Sequence, residues 1–195
     1  MSRKVNKTEQ RLVDVARELF AAHGRDNVTM NDIAQAAGKG RRTLYTYFKN
    51  KDEIYHAVIR HETELLYNAV LEVTKRDMSP SAMLAELISV HLDAVVNAVR
   101  RNGSLRSDFF RDIYEVERQR RATDMREILL IHHILERGIA QHEFRPLNPD
   151  IFAEIIFHAV KGVEVPYIKK YIRSKDTVRG RGKSISNVIF SGICL

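Results

Sequence analysis

The side chains best suited to binding a polyanion lie close together near the amino terminus of this 195-residue chain. Lys39, Arg41 and Arg42 stand at the start of a short segment with helical character. An arginine guanidinium can donate two hydrogen bonds to O6 and N7 of guanine, or it can neutralise a phosphate. The residue types therefore indicate contact with nucleic acid, and they leave open whether each arginine binds a base or a phosphate.

The net charge of the chain is concentrated in the same region. Residues 1–51 hold 11 Lys and Arg against 5 Asp and Glu, a net of +6, whereas residues 52–195 hold 21 against 20, a net of +1. Such an excess indicates a nucleic acid or an acidic membrane surface, although a solvated basic face has the same composition. Acidic residues interleave with the first cations, at Glu9, Asp14 and Glu18, and this mixture weakens attraction to anionic lipid. Among partners, the charge therefore favours nucleic acid and we expect no membrane, while a solvated basic face stays the alternative.

A different chemistry is offered by Glu53 and His56, which form the Glu-x-x-His spacing of di-iron helical bundles. Such a site needs two of these motifs and two further glutamates, and the sequence contains no second Glu-x-x-His. Glu53 has a simpler role as the capping partner of Asn50. Because the sequence also has no recognisable nucleophile–base spacing and a single cysteine, Cys194, we expect no enzymatic activity, no metal site and no cofactor.

The composition indicates a soluble globular protein, since 44% of residues are hydrophobic and 29% are charged. The first ten residues, MSRKVNKTEQ, are charged and lead into no apolar stretch, unlike a secretory signal. No run approaches the roughly 18 apolar residues of a membrane helix. These features predict a cytoplasmic protein.

The segments that position Lys39, Arg41 and Arg42 have the sequence pattern of helices. Apolar residues at helical spacing over residues 12–20 end at Gly24. Thr29 to Asp32 has the form of a capping box, opening a short helix that Gly38 closes, and a second short helix follows over about residues 40–48. Two short helices joined at a glycine, with cations on the second, predict a helix–turn–helix.

Helical patterning continues through the remainder of the chain. Helix starts are indicated at Asn50, at Ser79-Pro80 and at Asn148-Pro149. A long helix is predicted over residues 116–141, and a last helix over residues 184–193. The sequence therefore predicts an all-α protein.

The amino-acid sequence of residues 29–59 is more specific evidence than their helical pattern. TMNDIAQAAGKGRRTLYTYFKNKDEIYHAVI closely resembles the DNA-binding signature of the tetracycline-repressor (TetR) family of bacterial transcription regulators. The resemblance covers about residues 8–60. Its matching elements are Thr29, Asp32-Ile33-Ala34, Ala37-Gly38, Thr43-Leu44-Tyr45, Tyr47-Phe48, Lys49 and Lys51.

The resemblance implies roles for several of these positions. Thr29 is expected to cap the first short helix and to touch a phosphate. The hydroxyls of Tyr45 and Tyr47 are expected to reach the DNA backbone, and Lys51 to bind a phosphate, which suits groups that hold phosphate oxygens without reading sequence. Thr43 is counted with these DNA-binding residues because it lies in the same matching segment.

Three positions depart from the usual family pattern of a valine, a serine cap and a glycine. Here they are Lys39, Gly40 and Arg42. Glycine still serves as a helix N-cap, although less well than serine. The departures leave the family resemblance intact, and the operator sequence does not follow from it.

The resemblance also implies the organisation and function of the whole chain. It predicts an N-terminal three-helix helix–turn–helix DNA-binding domain over residues 1–51, followed by a larger helical ligand-binding and dimerisation domain over residues 52–195. We therefore expect a ligand-responsive transcription regulator, most simply a repressor, that binds a palindromic double-stranded operator as a homodimer.

Patterning supports dimerisation independently of the resemblance. Nine of the thirteen residues from 151 to 163 are apolar. A helix that is apolar on most sides must be buried on two of its faces. A second subunit would cover one of them; the alternative is a central core helix in a monomer. The residues predicted to dimerise are Phe152, Ile156, Val160, Val188 and Ile189.

The effector site is the least determined part of the sequence. His91 and His132 lie on otherwise apolar helix faces, and Phe110 falls on a segment between them. These residues could line a cavity for a small apolar or amphipathic effector. The alternative is that each histidine is a core residue hydrogen-bonded within the protein.

Overall fold

The computed structural model describes residues 6–102, 113–169 and 187–194. Within these ranges the regular structure is helical, as predicted, and residues 187–193 are also helical. The helices are α1 (Lys7–His23), α2 (Met30–Ala36), α3 (Arg41–Tyr47), α4 (Lys51–Thr74), α5 (Pro80–Arg101), α6 (Ile113–Ala140) and α7 (Pro149–Ile168).

Several predicted helix ends agree with the structure, whereas the helix predicted over residues 116–141 spans Ile113–Ala140. α1 ends at Gly24, whose N–H donates to the Phe20 carbonyl at 2.9 Å with a φ of 80°. α5 starts at Pro80, and Asn148 caps α7 through hydrogen bonds to the next turn. The basic composition of residues 173–183 predicts a loop, and these residues lie outside the described ranges.

The chain forms two compact units, and the first comprises Met1–Thr63 and Val99–Arg121. Its core forms because α1, α2, α3 and the start of α4 each turn an apolar face inward. Leu12, Phe20, Ile33, Leu44 and Ile54 have no exposed surface. Full burial of such a side chain stabilises the folded state by about 1.5–3 kcal/mol, so these contacts hold helices that are too short to persist alone.

The second unit comprises Glu64–Ala98 and Ala122–Leu195. Its core includes Leu84, Ile88 and Leu92 on α5, which are fully buried. Among the described helices, α5 is the one that length and composition alone would allow to cross a membrane. In this structure the apolar face of α5 is buried in the core of the second unit. The division of function between residues 1–51 and 52–195 stays a prediction.

At the carboxyl end of α6, the backbone of Gly138 packs directly against the ring of Phe144. Gly138 is buried within the helix, and a Cβ atom at this position would overlap the ring of Phe144. The Gly138 carbonyl accepts the N–H groups of Glu143 and Phe144 at 2.9 and 3.2 Å. The neighbouring Arg145 N–H donates to the Ile193 carbonyl at 3.0 Å, which ties the end of the chain to this corner.

This contact predicts that Gly138→Ala destabilises the protein by about 1–3 kcal/mol, because the added methyl displaces a packed ring. Helix propensity alone would give the opposite sign, a gain of about 1 kcal/mol. Urea unfolding followed by circular dichroism measures the change. In a Phe144→Leu background the smaller side chain should reduce the cost of Gly138→Ala; a higher free energy of unfolding for Gly138→Ala alone would contradict the packing argument.

Candidate functional site

The capping box at the start of α2 forms as predicted. The Thr29 hydroxyl oxygen accepts a hydrogen bond from the Asp32 N–H at 3.2 Å, and the Asp32 carboxylate accepts the Thr29 N–H at 2.8 Å. The carboxylate also accepts the Thr29 hydroxyl at 2.7 Å. The backbone and side-chain bonds from Thr29 lower the pKa of Asp32 below its ordinary value. The capping role of Thr29 is therefore confirmed, while its phosphate contact stays a prediction.

The turn between α2 and α3 is set by one glycine. Gly38 has a φ of 65°, a backbone conformation that glycine adopts without a Cβ penalty. Its N–H donates to the Gln35 carbonyl at 3.0 Å, and the Lys39 N–H donates to the Ala34 carbonyl at 2.9 Å. These two bonds are the Schellman pattern of a helix end. Gly40 then caps α3 without a side-chain hydrogen bond.

The inner face of α3 anchors the helix to the first unit. Leu44 has no exposed surface, and Phe48, directly after the helix, is 4% exposed. Both belong to the same core as Ile33 and Ala34 of α2. A seven-residue helix is unstable in water by itself, so this burial determines that α3 forms and how it is rotated.

The turn before α3 and the exposed side of α3 carry four of the predicted DNA-binding side chains. Lys39, Arg41 and Arg42 are exposed, and Tyr45 is 44% exposed. Within the described part of the chain, the side chains of Lys39, Arg41 and Arg42 make no hydrogen bond or ion pair. Thr43 is half-buried. The fold therefore leaves two arginines and a phenol hydroxyl of α3, and Lys39 of the turn before it, available to a partner.

Lys51 has a structural role that sequence reasoning missed. Its ammonium donates to the carbonyl of Arg25 at 2.8 Å and to that of Asp26 at 3.3 Å. Arg25 in turn bonds Asp52 at 2.6 Å and stacks 4.2 Å from the centroid of the Tyr55 ring. These contacts fasten the loop before α2 to the start of α4. The predicted phosphate contact of Lys51 stays a prediction, and replacing this lysine would also loosen the loop.

Tyr47 likewise has a partner inside the protein. Its hydroxyl oxygen accepts a hydrogen bond from the Asn6 side-chain amide at 3.0 Å. Asn6 also caps α1, because its side-chain oxygen accepts the Thr8 N–H at 2.9 Å. The hydroxyl hydrogen of Tyr47 remains able to donate to a phosphate, and its predicted DNA contact stays a prediction.

In the second unit, His91 is a buried bridge between two carboxylates. Its Nδ1 lies 2.7 Å from Glu127 Oε1, and its Nε2 lies 3.0 Å from Glu164 Oε1. His91 lies on α5, Glu127 on α6 and Glu164 on α7, and none of the three side chains is more than 7% exposed. Burial alone would lower the pKa of His91, but the charges and hydrogen bonds of the two glutamates outweigh it and raise the pKa to about 9. The imidazole is therefore protonated at neutral pH and donates to both glutamates.

The three predicted effector residues have different surroundings. Both ring nitrogens of His91 are already engaged by protein carboxylates. His132 is 20% exposed, and its Nε2 lies 3.1 Å from Asp150 Oδ1. Phe110 lies outside the described residues. No hydrogen bond or ring contact joins His91 to His132 in the described structure, and their effector role stays a prediction.

The predicted dimerisation residues also divide by exposure. Ile156 and Val160 are 2% and 4% exposed in the core of their own unit, and Phe152 is half-buried against it. These three residues therefore pack inward. The outward apolar side chains of α7 are instead Ile151 and Ile155, each 55% exposed.

The predicted residues of the carboxyl-terminal helix are more accessible than those of α7. Val188 is 77% exposed, and Ile189 is half-buried against the core. A contiguous apolar patch marks an interaction surface, whereas a single exposed apolar side chain is normal. The role of Val188 and Ile189 in dimerisation stays a prediction, and the exposed residues of α7 join them as candidates.

Comparison with known proteins identifies the first unit most clearly. Residues 12–58 match the family described as bacterial regulatory proteins, tetR family. A Mycobacterium tuberculosis protein named as the mycofactocin biosynthesis transcriptional regulator MftR is 38% identical over 89 residues, which are 44% of this chain and 45% of that protein. The chain thus matches about half the length of this relative.

Two further comparisons extend over most of the chain. The HTH-type transcriptional regulator SrpR of Pseudomonas putida is 29% identical over 177 residues, covering 89% of this chain and 79% of that protein. The crystal structure of the transcriptional regulator FadR from Bacillus subtilis, in complex with stearoyl-CoA, superposes with a TM-score of 0.70 at 20% identity. That superposition covers 94% of this chain and 98% of FadR, and it shows that the two share a fold.

The charged bridge at His91 predicts a stability that falls with rising pH. Because its pKa is raised from the ordinary 6.5 to about 9, its contribution is complete below pH 6.5, declines above it and is lost beyond pH 9. The expected loss is about 3 kcal/mol, measured by urea unfolding from pH 6 to pH 9.5.

The control for this prediction is a triple variant, His91→Gln with Glu127→Gln and Glu164→Gln, which retains hydrogen-bonding groups that do not titrate. Its free energy of unfolding should change less over the same pH range. Parallel pH profiles of the wild type and the triple variant would assign the decline to other groups.

Proposed function

We propose that the chain is a ligand-responsive repressor of the TetR family of bacterial regulatory proteins, whose family model matches residues 12–58. It binds a palindromic operator in double-stranded DNA as a homodimer and releases it when a small effector binds. The observation that carries the proposal is the exposed basic face of α3, which the Gly38 turn holds next to α2.

The dimensions of α3 suit insertion into DNA. An α-helix with its side chains is about 10–12 Å across, and the major groove of B-DNA is about 12 Å wide. Arg41 and Arg42 stand in the first turn of the helix, the part that reads base edges in helix–turn–helix proteins. Tyr45 follows one turn later on the exposed side and would hold a phosphate.

The charge distribution supports the same partner. The net +6 of residues 1–51 favours association with any DNA, and this attraction weakens as salt concentration rises. Sequence preference must then come from the few side chains that reach base edges. Arg41 is the residue we assign to base contact, while Arg42 could bind either a base or a phosphate.

A homodimer would supply two such helices to one DNA duplex. A palindromic operator reflects the two-fold symmetry of the protein, with half-sites one helical turn, about 34 Å, or a multiple of that apart. The exposed Ile151 and Ile155 on α7 and Val188 in the last helix support a second copy as the partner. Selection of bound sequences from random duplex DNA would yield both the operator motif and the half-site spacing.

We assign the effector to residues 52–195 and expect it to be apolar or amphipathic. FadR from Bacillus subtilis, which shares the fold, was crystallised with stearoyl-CoA, a molecule with a long apolar chain. An effector shifts the equilibrium only if it binds the DNA-incompetent conformation more tightly. The repressor therefore requires two conformations whose reading helices are spaced differently.

Replacement of one arginine tests the base-reading role. Arg41→Ala should cost about 1–3 kcal/mol of binding free energy on the selected operator and relax the preference at one base position. Fluorescence anisotropy with operator and random duplexes measures both effects. Arg121→Ala, at another exposed arginine on α6, serves as the matched control. Equal weakening on operator and random DNA would show that Arg41 binds only phosphate.

The dimer surface is tested by introducing charge on the outer face of α7. Ile155→Glu should give a helical monomer with weak operator binding, because a charge cannot be buried unpaired in an interface. Light scattering and sedimentation at micromolar concentration give the oligomeric state. Leu129→Glu, on α6, is the control because Leu129 is 54% exposed, nearly the same as Ile155. A monomeric wild type, or dissociation by Leu129→Glu alone, would contradict the assignment to α7.

A further inference from the structure

A cluster of nitrogen and oxygen ligands lies on the outer side of α6. His132 and Glu136 are one helical turn apart, and His133 lies beside them. The Nδ1 atoms of His132 and His133 lie 3.5 and 3.3 Å from Glu136 Oε2. One ligand atom from each residue can be chosen so that all three lie within 4.8 Å of one another.

These separations match those of ligands around one metal ion. Zinc binds histidine nitrogen and carboxylate oxygen at about 2.0–2.2 Å, in tetrahedral geometry. Two ligands at that radius and angle are separated by about 3.4 Å. The two nitrogen–oxygen distances at Glu136 therefore need little adjustment to accept an ion.

The second observation is the orientation of His132. Its Nε2 lies 3.1 Å from Asp150 Oδ1, at the start of α7. Its Nδ1 is shielded from solvent and has no hydrogen-bond partner. An Nε2–H that donates to Asp150 leaves a lone pair on Nδ1, and Nδ1 lies 3.5 Å from Glu136 Oε2. Histidines that ligate metals are held in this way, with the other ring nitrogen donating to a carboxylate.

We propose that His132, His133 and Glu136 bind a divalent first-row transition-metal ion such as Zn²⁺. Imidazole with one carboxylate favours Zn²⁺, Co²⁺, Ni²⁺ or Cu²⁺ over Mg²⁺ and Ca²⁺, which prefer all-oxygen sites. The side chains of His133 and Glu136 are 70% and 53% exposed, so a fourth coordination position is open to water. Asp150 is a positioning residue that holds His132 and does not touch the ion.

This site differs from the expectation of no metal site in the sequence analysis. The pattern His-His-x-x-Glu within one helix is short and is shared by many solvated helix faces. The residue that orients His132 comes from α7, eighteen positions later in the sequence. The inference does not depend on DNA binding, and its test is separate from the tests of the proposed function.

The experiment is calorimetric titration of the untagged full chain with ZnCl₂, together with the visible absorption of bound Co²⁺. We expect one ion per chain. His133→Asn and Glu136→Gln should each weaken binding by at least about tenfold, since each removes a ligand. His142→Asn is the matched control because His142 is exposed, and asparagine tolerates its φ of 58°.

Variants at Asp150 test the positioning role. Asp150→Ala should weaken Zn²⁺ binding by about 10–100-fold, while Asp150→Asn, which can still accept the Nε2–H bond, should retain most of the affinity. The Co²⁺ spectrum of the Asp150→Ala protein at saturation should keep the band positions of the wild type, because the ligands are unchanged. No binding by the wild type, or equal loss in His133→Asn and His142→Asn, would overturn the proposal.

Discussion

The second unit depends on one electrostatic constraint, the protonated His91 held between Glu127 and Glu164. Each of the three residues comes from a different helix, so the bridge fixes the mutual position of α5, α6 and α7. Removing one member of such a buried group costs about 3–5 kcal/mol, because the remaining charges lose their partner. Hydrophobic packing allows several rotations of a helix about its own axis. The two hydrogen bonds of His91 allow only one such rotation.

The first unit is organised by short-range devices instead. A capping box, a left-handed glycine and a buried leucine determine where α2 and α3 begin, end and face. The surrounding contacts then fix the loop at Arg25, whose carbonyl accepts the Lys51 ammonium. Each of these interactions is worth only about 1 kcal/mol, but together they hold two helices that would not form alone.

The difference between the two units explains how far the sequence could predict the structure. Thr29, Asp32 and Gly38 act within a few residues, so their roles follow from spacing alone. The partners of His91 are 36 and 73 residues away, and nothing local indicates them. The apolar pattern of α7 was evident, but a helix apolar on two faces does not reveal which face is its own core. For that reason the pattern predicts Ile156 at the dimer interface, whereas Ile156 is 2% exposed in its own core and the neighbouring Ile155 is 55% exposed.

The division of α3 into a buried face and an exposed face separates the residues that hold the helix from those proposed to bind DNA. Buried Leu44 and Phe48 hold the helix against the core, and its N-cap, Gly40, makes no side-chain hydrogen bond. The exposed Arg41, Arg42 and Tyr45 contribute nothing to that core. If these side chains contact DNA as proposed, exchanging them would change the preferred DNA sequence, while the stability of the first unit would stay nearly unchanged.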